Sequence, residues 1–579
     1  MPTLDWIGKN KVINHHLSVP FRMLKRKYSF DENGQHEEDN SSENMIIKGD
    51  NLEALKALLP RYEGQIKCIY IDPPYNTGNE DWSYNDNVND PKIKQWLGKV
   101  VGKEGEDLSR HDKWLCMMYP RLKLLRKLLA PDGVFFVSIG DDELTNLLYL
   151  VNEIFGKINA IFVWKSRSKP TNAGNAKYRP QKVAEYVIMF TQDENRIFNV
   201  GQRDDDYSYP YADEKGSYRT STILTSNLGS YKRETMRFEI AGYTPPADKR
   251  WKAGYTTIKS LLDNNRLLFT KDGTPMEKIY DYDNESVLTP LYTLIDPKIS
   301  GSAESGKSTL NKIIGMGHGF DTVKPNGLIE YLIGICTSKN DIILDSFAGT
   351  GTTAHAVLNM NKADGGNRKF ILVEMMDYAE SITANRIKEV IIGYKADQEN
   401  ILYDKEITID NIVNGIDMLN EAKKIASAAK EKYTSVRKPK IENGHLIVTA
   451  ITKAADQIAG TGGNFSYYEL GEPLLIGDCL NEAVPTEKIR EYIWFMETKT
   501  PFTLPTGDNQ YYLGHHNDTG YYFYYEPRQI TVLNYNFLST IKEKTSETVI
   551  YADRCSIGED KLMHMGITFK KIPRDISKL

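Results

Sequence analysis

The sequence is poor in cysteine. It has five in 579 residues, Cys68, Cys116, Cys336, Cys479 and Cys555, scattered and never in a C-x-x-C pair. That argues against a disulfide framework and a thiolate zinc site, and a reducing cytoplasm is the expected compartment. No apolar run reaches 18 residues, so no membrane span is expected. The opening MPTLDWIGKNKVINHH has no apolar stretch of the signal-peptide kind. Nor is there an excess of positive charge: 73 Lys and Arg stand against 78 Asp and Glu, a formal net charge of −5. Contact with nucleic acid would need a local basic face rather than a basic protein.

One stretch has that character. WKSRSKPTNAGNAKYRPQK, residues 164–182, carries Lys165, Arg167, Lys169, Lys177, Arg179 and Lys182 and no acid. These six are the candidate nucleic-acid contacts, although on charge alone a solvated loop explains them equally well. Elsewhere, 40% hydrophobic and 26% charged residues suit a soluble chain with real cores.

The pattern along the chain is alternating α/β. Residues 1–44 read as an N-terminal arm, with the acidic, polar DENGQHEEDNSSEN as an exposed loop. From Met45 the runs MIIKGD, IKCIYI and VFFVSI read as buried strands separated by helical segments, and NAIFVWK and VAEYVIMFTQ as a strand hairpin. This makes 45–199 the first part of a parallel-sheet domain. Residues 200–300, rich in Tyr, Thr, Asp, Gly and Pro, read as a loop-rich insertion. The α/β pattern resumes over 301–400, a helical linker spans 401–440, and 441–579 reads as a smaller α+β module with strands around an NDTG turn.

In such sheets ligands sit beyond the carboxyl ends of the strands. Three strand ends carry unusual residues. IKCIYI runs into Asp72-Pro73-Pro74-Tyr75, IILDS into Phe347-Ala348-Gly349-Thr350-Gly351-Thr352, and KFILVE ends in Glu374. Gly349 and Gly351 would let the backbone approach a ligand closely. Their spacing is too short for a dinucleotide fingerprint, and Glu374 is placed to accept bonds from ribose hydroxyls. The pattern fits a nucleoside cofactor lacking phosphates; an ordinary glycine turn with a surface acid is the bland alternative. The two prolines after Asp72 stiffen the turn and hold acceptors in place. The exocyclic amine of adenine is a poor nucleophile because its lone pair is delocalised into the ring. The Asp72 carboxylate and the Pro73 carbonyl could draw its hydrogens out of plane and stabilise positive charge as it attacks a methyl sulfonium. Tyr75 offers a flat face for a base swung out of the helix.

DPPYNTG followed far downstream by DSFAGTGTT resembles the DNA amino-methyltransferases in the β arrangement, with target recognition inserted between. LDWIGKNKVINHH, GDNLEALK, TVKPNGLIEYLI, GTGGNFSYYELGEPLL and FKKIPRDI extend the resemblance to the modification (Mod) subunits of type III restriction–modification systems. The resemblance implies a Rossmann-like class I methyltransferase α/β fold with an inserted target-recognition module. It implies S-adenosylmethionine as cofactor, double-stranded DNA as substrate, adenine N6 as target, a homodimer, and a restriction (Res) subunit as a further partner. Asp72, Pro73, Pro74 and Tyr75 would be catalytic. Asp345, Phe347, Ala348, Gly349, Gly351 and Thr352 would hold the methionine end and sulfonium, Glu374 the ribose and Asp50 the adenine, while Lys324 and Pro325 match the remaining cofactor motif. The C-terminal module would serve dimer, DNA or partner contacts.

Other readings remain. The same chemistry fits a solitary or phage-defence methyltransferase without a restriction partner. Residues 301–308, GSAESGKS, match the phosphate-loop pattern of a nucleotide-hydrolysing subunit, but the preceding TLIDPKIS is short and broken by proline. A catalytically silent specificity subunit is opposed by the intact tetrapeptide and glycine loop. His515-His516 has no metal-ligand spacing, and the Tyr-rich C-terminal strands suit a small core better than base stacking.

Overall fold

The computed structural model describes residues 3–77, 91–101, 109–167, 180–200, 208–229, 232–284, 290–395, 398–407, 415–433, 435–442, 445–452, 458–477, 479–505, 509–543 and 545–574. The chain forms two compact units, Met1–Phe198 with Tyr292–Leu579, and Asn199–Leu291.

The larger unit is built on a mixed sheet of eleven strands. In chain order they are β1 Arg22–Asp31, β2 Gly34–His36, β3 Met45–Lys48, β4 Ile66–Ile71, β5 Leu129–Ile139, β6 Ala160–Trp164, β7 Glu185–Thr191, β8 Leu294–Ile295, β9 Ile342–Asp345, β10 Lys369–Glu374 and β11 Phe465–Pro473. In space the order is β8-β6-β7-β5-β4-β9-β10-β3-β11-β1-β2. The central strands β5, β4, β9, β10 and β3 are parallel, and β7 runs antiparallel to β5 and β6. Their continuous Ile, Leu, Val and Phe runs are what strands covered on both faces require. β9 lies between β10 and β4, so chain order reverses there and the carboxyl ends of β4 and β9 are neighbours.

The helices used below are α1 Asn51–Tyr62, α2 Arg110–Leu128, α3 Leu144–Ile154, α4 Ala303–Ile314, α5 Asn326–Gly334, α6 Thr352–Asp364 and α7 Asn385–Ile392. Asp50 caps α1, its carboxylate accepting from the N–H of Leu52 and Glu53. Ser109 and Asp112 form a capping box on α2. The apolar sides of α1, α2 and α3 share one core with β3, β4 and β5.

The fold departs from the sequence reading at its seams. Residues 1–44 are not a detached arm: β1 pairs antiparallel with β11, and Phe30 stacks on Phe465. β11 in turn pairs parallel with β3, so part of the expected C-terminal module is a strand of the main sheet. Strand order gives no local signal when partners lie some four hundred residues apart. The 401–440 linker is not wholly helical, since Gln398–Glu406 pairs with His445–Thr452 alongside helix Gly415–Ala428. The insertion closes at Leu291, and β8 beyond it adds to the sheet edge against β6.

The smaller unit is more ordered than a loop-rich reading expects. It has a four-stranded antiparallel sheet around Gly216–Thr222 and Pro275–Tyr280, and its own core of Ile223, Ile240, Trp251, Ile258 and Leu267. Near the C-terminus, Tyr512–His516 and Thr519–Phe523 form the hairpin around NDTG. Asn517 and Asp518 take positive φ there, as a tight hairpin turn requires.

Candidate active site

The turn after β4 is clamped from three directions. Pro74 O accepts from Trp114 Nε1 at 2.7 Å, and Asn76 O from Arg110 at 2.8 Å. Asn76 has φ 56° and is fully buried, its amide donating to Glu143 and to Arg110 O. Asn tolerates this left-handed backbone better than other side chains. Tyr75 lies against the backbone at Gly140, where a Cβ would come within 3.0 Å of its ring. The turn therefore presents Asp72 and Tyr75 in fixed positions.

Across from it, the turn after β9 is held by Asp345. Its carboxylate accepts from Phe347 N–H at 3.0 Å and Thr353 Oγ1 at 2.6 Å. Burial pushes the Asp345 carboxyl up to about 7 against the pull of those two bonds. Gly349 and Gly351 have φ 52° and 79°, left-handed backbone that favours glycine. A Cβ at Gly351 would also come within 3.3 Å of Thr383 O and Cγ2. Thr383 Oγ1 donates to Gly349 O, tying the loop to the wide turn Ala379–Ala384.

A cavity of about 190 Å³ lies between these two turns. It brings together Asp72, Pro73, Tyr75, Lys324, Asp345, Phe347, Ala348, Gly349 and Thr352 of the expected set, along with Arg167 from the basic stretch. Lys324 Nζ sits 2.9 Å from Asp72 Oδ2 and 3.4 Å from Glu185 Oε2, and 4.9 Å from the Tyr75 ring centre. Burial lowers the affinity of the Lys324 ammonium for its proton, but Asp72 and Glu185 more than offset this and its pKa is raised. Burial raises the Asp72 carboxyl too, with Lys324 opposing and Glu185 adding to the rise. Asp72 Oδ1 is buried and takes no hydrogen bond within the protein.

Glu185 was not singled out from sequence. It opens β7, and its Oε2 accepts from the Tyr75 hydroxyl at 2.8 Å. One carboxylate thus fixes both the Tyr75 ring and the Lys324 ammonium. Its signal in the sequence is an acid heading an otherwise apolar strand just after the basic stretch.

Other expected residues lie outside this cavity. Pro325 caps α5. Glu374 is buried beneath the glycine loop, its two oxygens accepting from the N–H groups of Gly349 and Met376, and burial pushes its carboxyl up to about 7. Asp50 caps α1, pairs with the buried Arg121 at 3.2 Å, and lines a second cavity with Gly49 and Met375. Lys165 and Arg167 are exposed, and Lys182 is paired with Asp141 and Asp142. Lys169, Lys177 and Arg179 lie outside the described residues.

The cavity suits a cofactor without phosphates. Asp72 and Glu185 line it against two cations, Arg167 and Lys324, and Asp345 is held up near 7, so a polyphosphate would find no excess of positive charge to balance it. The donors and the close backbone of the glycine loop fit S-adenosylmethionine. The phosphate-loop match fails on geometry. Ser302 caps α4, and Gly306, Lys307 and Ser308 are inside that helix rather than in a loop. A Cβ at Gly306 would meet Val323 O at 2.2 Å, and Lys307 pairs with Asp321. The glycine is there for helix packing.

The chain is 31% identical to the type III restriction–modification StyLTI Mod subunit of Salmonella typhimurium, over 58% of this chain and 53% of that one. It is 29% identical to the EcoP15I Mod subunit of Escherichia coli over 64% of each chain, and so spans less than two thirds of either Mod relative. It is 30% identical to the type II methyltransferase M.KpnI of Klebsiella pneumoniae, over 58% of this chain and 81% of that one. A family model described as DNA methylase matches residues 66–401, from β4 through the glycine loop and beyond β10, more than half of the chain. By that match the chain belongs to the N6/N4 DNA methylase family.

Proposed function

We propose that the protein transfers a methyl group from S-adenosylmethionine to N6 of adenine in double-stranded DNA, acting on a base flipped out of the helix. The observation that carries this reading is the Asp72 carboxylate, which lines the cavity shared with the glycine loop from a rigid turn and whose buried Oδ1 makes no hydrogen bond among the described residues. A buried unpaired carboxylate oxygen is costly unless a ligand donor meets it. An exocyclic amine N–H is such a donor.

When bound, the cofactor supplies an electrophilic methyl on a sulfonium sulfur. Asp72 accepts an amine N–H, localises the nitrogen lone pair, and stabilises positive charge as the N–C bond forms and the S–C electrons leave with sulfur. It then takes the surplus amine proton, for which its raised pKa suits it. Tyr75 stacks on the base, with Glu185 and Lys324 holding its ring. Pro73 supplies a second acceptor and Pro74 rigidity. Glu374, beneath the glycine loop, is assigned to the ribose of the cofactor, and Asp50, on the second cavity, to its adenine end. Tyrosine in DPPY favours adenine, since cytosine-N4 enzymes of this class typically begin the tetrapeptide with serine.

The assignment to a type III Mod subunit is supported by the StyLTI and EcoP15I relatives, and with it come a homodimer and a Res subunit as partners. Residues 199–291 are the proposed target-recognition module. Lys165, Arg167, Lys169, Lys177, Arg179 and Lys182 are the proposed DNA contacts, and the C-terminal module is assigned to dimer, DNA or partner contacts. The greater coverage of M.KpnI favours a second reading, a methyltransferase that works without a restriction subunit. Methylation-aware sequencing of DNA from cells expressing the wild type or Asp72→Ala tests the proposal. Adenine methylation at one motif, lost in the variant, is expected; unmodified adenine in both overturns it.

A further inference from the structure

Arg386, on α7, is fully buried, and among the described residues no carboxylate lies within ion-pairing distance of it. A buried guanidinium without a counter-charge is expensive, and burial pulls its pKa down to about 9. Its acceptors are all neutral. Nη1 donates to Thr350 O at 3.3 Å, Thr350 Oγ1 at 3.0 Å and Thr352 Oγ1 at 2.9 Å. Nη2 donates to Asn326 Oδ1 at 2.9 Å and His355 Nδ1 at 3.2 Å. His355 is held neutral, first by burial and then by Arg386 itself.

A hydroxyl that accepts from a cation must send its own hydrogen elsewhere, and it becomes a stronger donor. Thr352 spends its hydrogen on Lys324 O at 3.2 Å. Thr350 has Thr352 Oγ1 as its other protein neighbour, at a long 3.4 Å, and both threonines line the cavity. Thr350, a residue of the cavity wall backed by a buried positive charge, thus has only a long protein acceptor for its hydroxyl hydrogen among the described residues. The carboxylates Asp72 and Glu185 line another part of the same cavity. A ligand with a cationic centre and an anionic end has one favourable orientation here.

Resting on the cofactor reading above, we infer that Arg386 is a positioning residue that turns the Thr350 hydroxyl into the cavity as a donor to the carboxylate of the methionine moiety of S-adenosylmethionine. Arg386 does not itself line the cavity; it acts through the threonine. A merely structural role, pinning α7 to the loop, would weaken every cofactor analogue alike.

Calorimetric titration with S-adenosylmethionine and with decarboxylated S-adenosylmethionine separates the two, because the ligands differ in that carboxylate. The wild type should prefer the intact ligand by about ten- to a hundredfold, the range of a charge-assisted hydrogen bond. Arg386→Met and Thr350→Val should each lose most of that preference while binding the decarboxylated ligand as the wild type does. Arg386→Lys should recover part of it. Equal weakening of both ligands, or an unchanged preference in Arg386→Met and Thr350→Val, overturns the inference and leaves the cofactor reading standing. If Arg386→Met does not fold, Thr350→Val, which keeps the guanidinium, decides alone. A wild type that binds neither ligand overturns the cofactor reading first, and this inference with it.

Discussion

Lys324 and Arg386 both meet the glycine-loop segment at Thr352, yet Lys324 lies between two carboxylates and Arg386 among neutral oxygens and a ring nitrogen. The difference follows what each must leave free. Lys324 occupies one oxygen of Asp72 and so orients the other, which remains open for a donor that carries no net charge. Arg386 has its charge conducted to the loop through hydroxyls and left uncompensated, a state that makes sense where the ligand brings the anion. A site can thus hold one cation for geometry and another for affinity.

The largest effect should come from the oxygen that Lys324 orients. Asp72→Asn is expected to slow methyl transfer by about a thousandfold, the scale of losing a preorganised charge stabiliser. Its affinity for S-adenosylmethionine should stay within a factor of about two, as measured by single-turnover assay and calorimetry side by side. A parallel collapse of cofactor binding would place Asp72 on the cofactor instead.

Stability sharpens the contrast between the two cations. Lys324→Met leaves Asp72 and Glu185 facing each other, and should cost about 3 kcal/mol in denaturant unfolding, as removing one partner of a buried pair does. Arg386→Met removes a buried charge without stranding an opposite one, and should cost clearly less. Equal losses would mean that Arg386 is compensated after all.

Smaller, and specific to the Lys324 side, is the effect of Glu185→Gln. The amide still accepts from Tyr75, but the like charge near Asp72 is gone, so the Asp72 pKa should fall. The acid limb of the pH–rate profile should then move to lower pH. No shift, or an upward one, would separate Glu185 from Asp72 electrostatically.

The smallest effect concerns the loop between them. Asp345 ionises near 7 in the folded protein, against an ordinary value of 3.8. Between those values the folded state holds the extra proton. The stability from this group is therefore full below about pH 4 and is lost as pH rises through 7. Asp345→Asn can still accept from Phe347 N–H while its amide NH2 donates to Thr353 Oγ1 in a reversed bond, and should flatten that decline, so its melting temperature relative to wild type should be higher at pH 8 than at pH 5. A constant difference would argue against a raised Asp345.

The two turns that form the site were legible in the sequence because their chemistry is local: a proline-stiffened acid at one strand end, a glycine pair at another. What supports them was not. Glu185 lies 110 residues from Tyr75, and only the antiparallel placement of β7 against β5 brings it to the tetrapeptide. Arg386 reads as a surface charge in ITANRIKEV, yet it falls on the buried stripe with Ile387, Val390 and Ile391. A cation on the apolar side of a short helix was the available sign. The sheet's far edge was equally hidden, because residues 1–44 read as an arm and β11 as part of a separate C-terminal module, and only their pairing joins both to the main sheet. In the other direction, GSAESGKS carried a pattern that its helix does not honour.

The most direct test is nucleoside mass spectrometry of duplex DNA incubated with the purified protein and S-adenosylmethionine labelled on its methyl group. Labelled N6-methyladenine from the wild type, and none from Asp72→Asn, is the predicted result; label in N4-methylcytosine, or in both proteins alike, would contradict it.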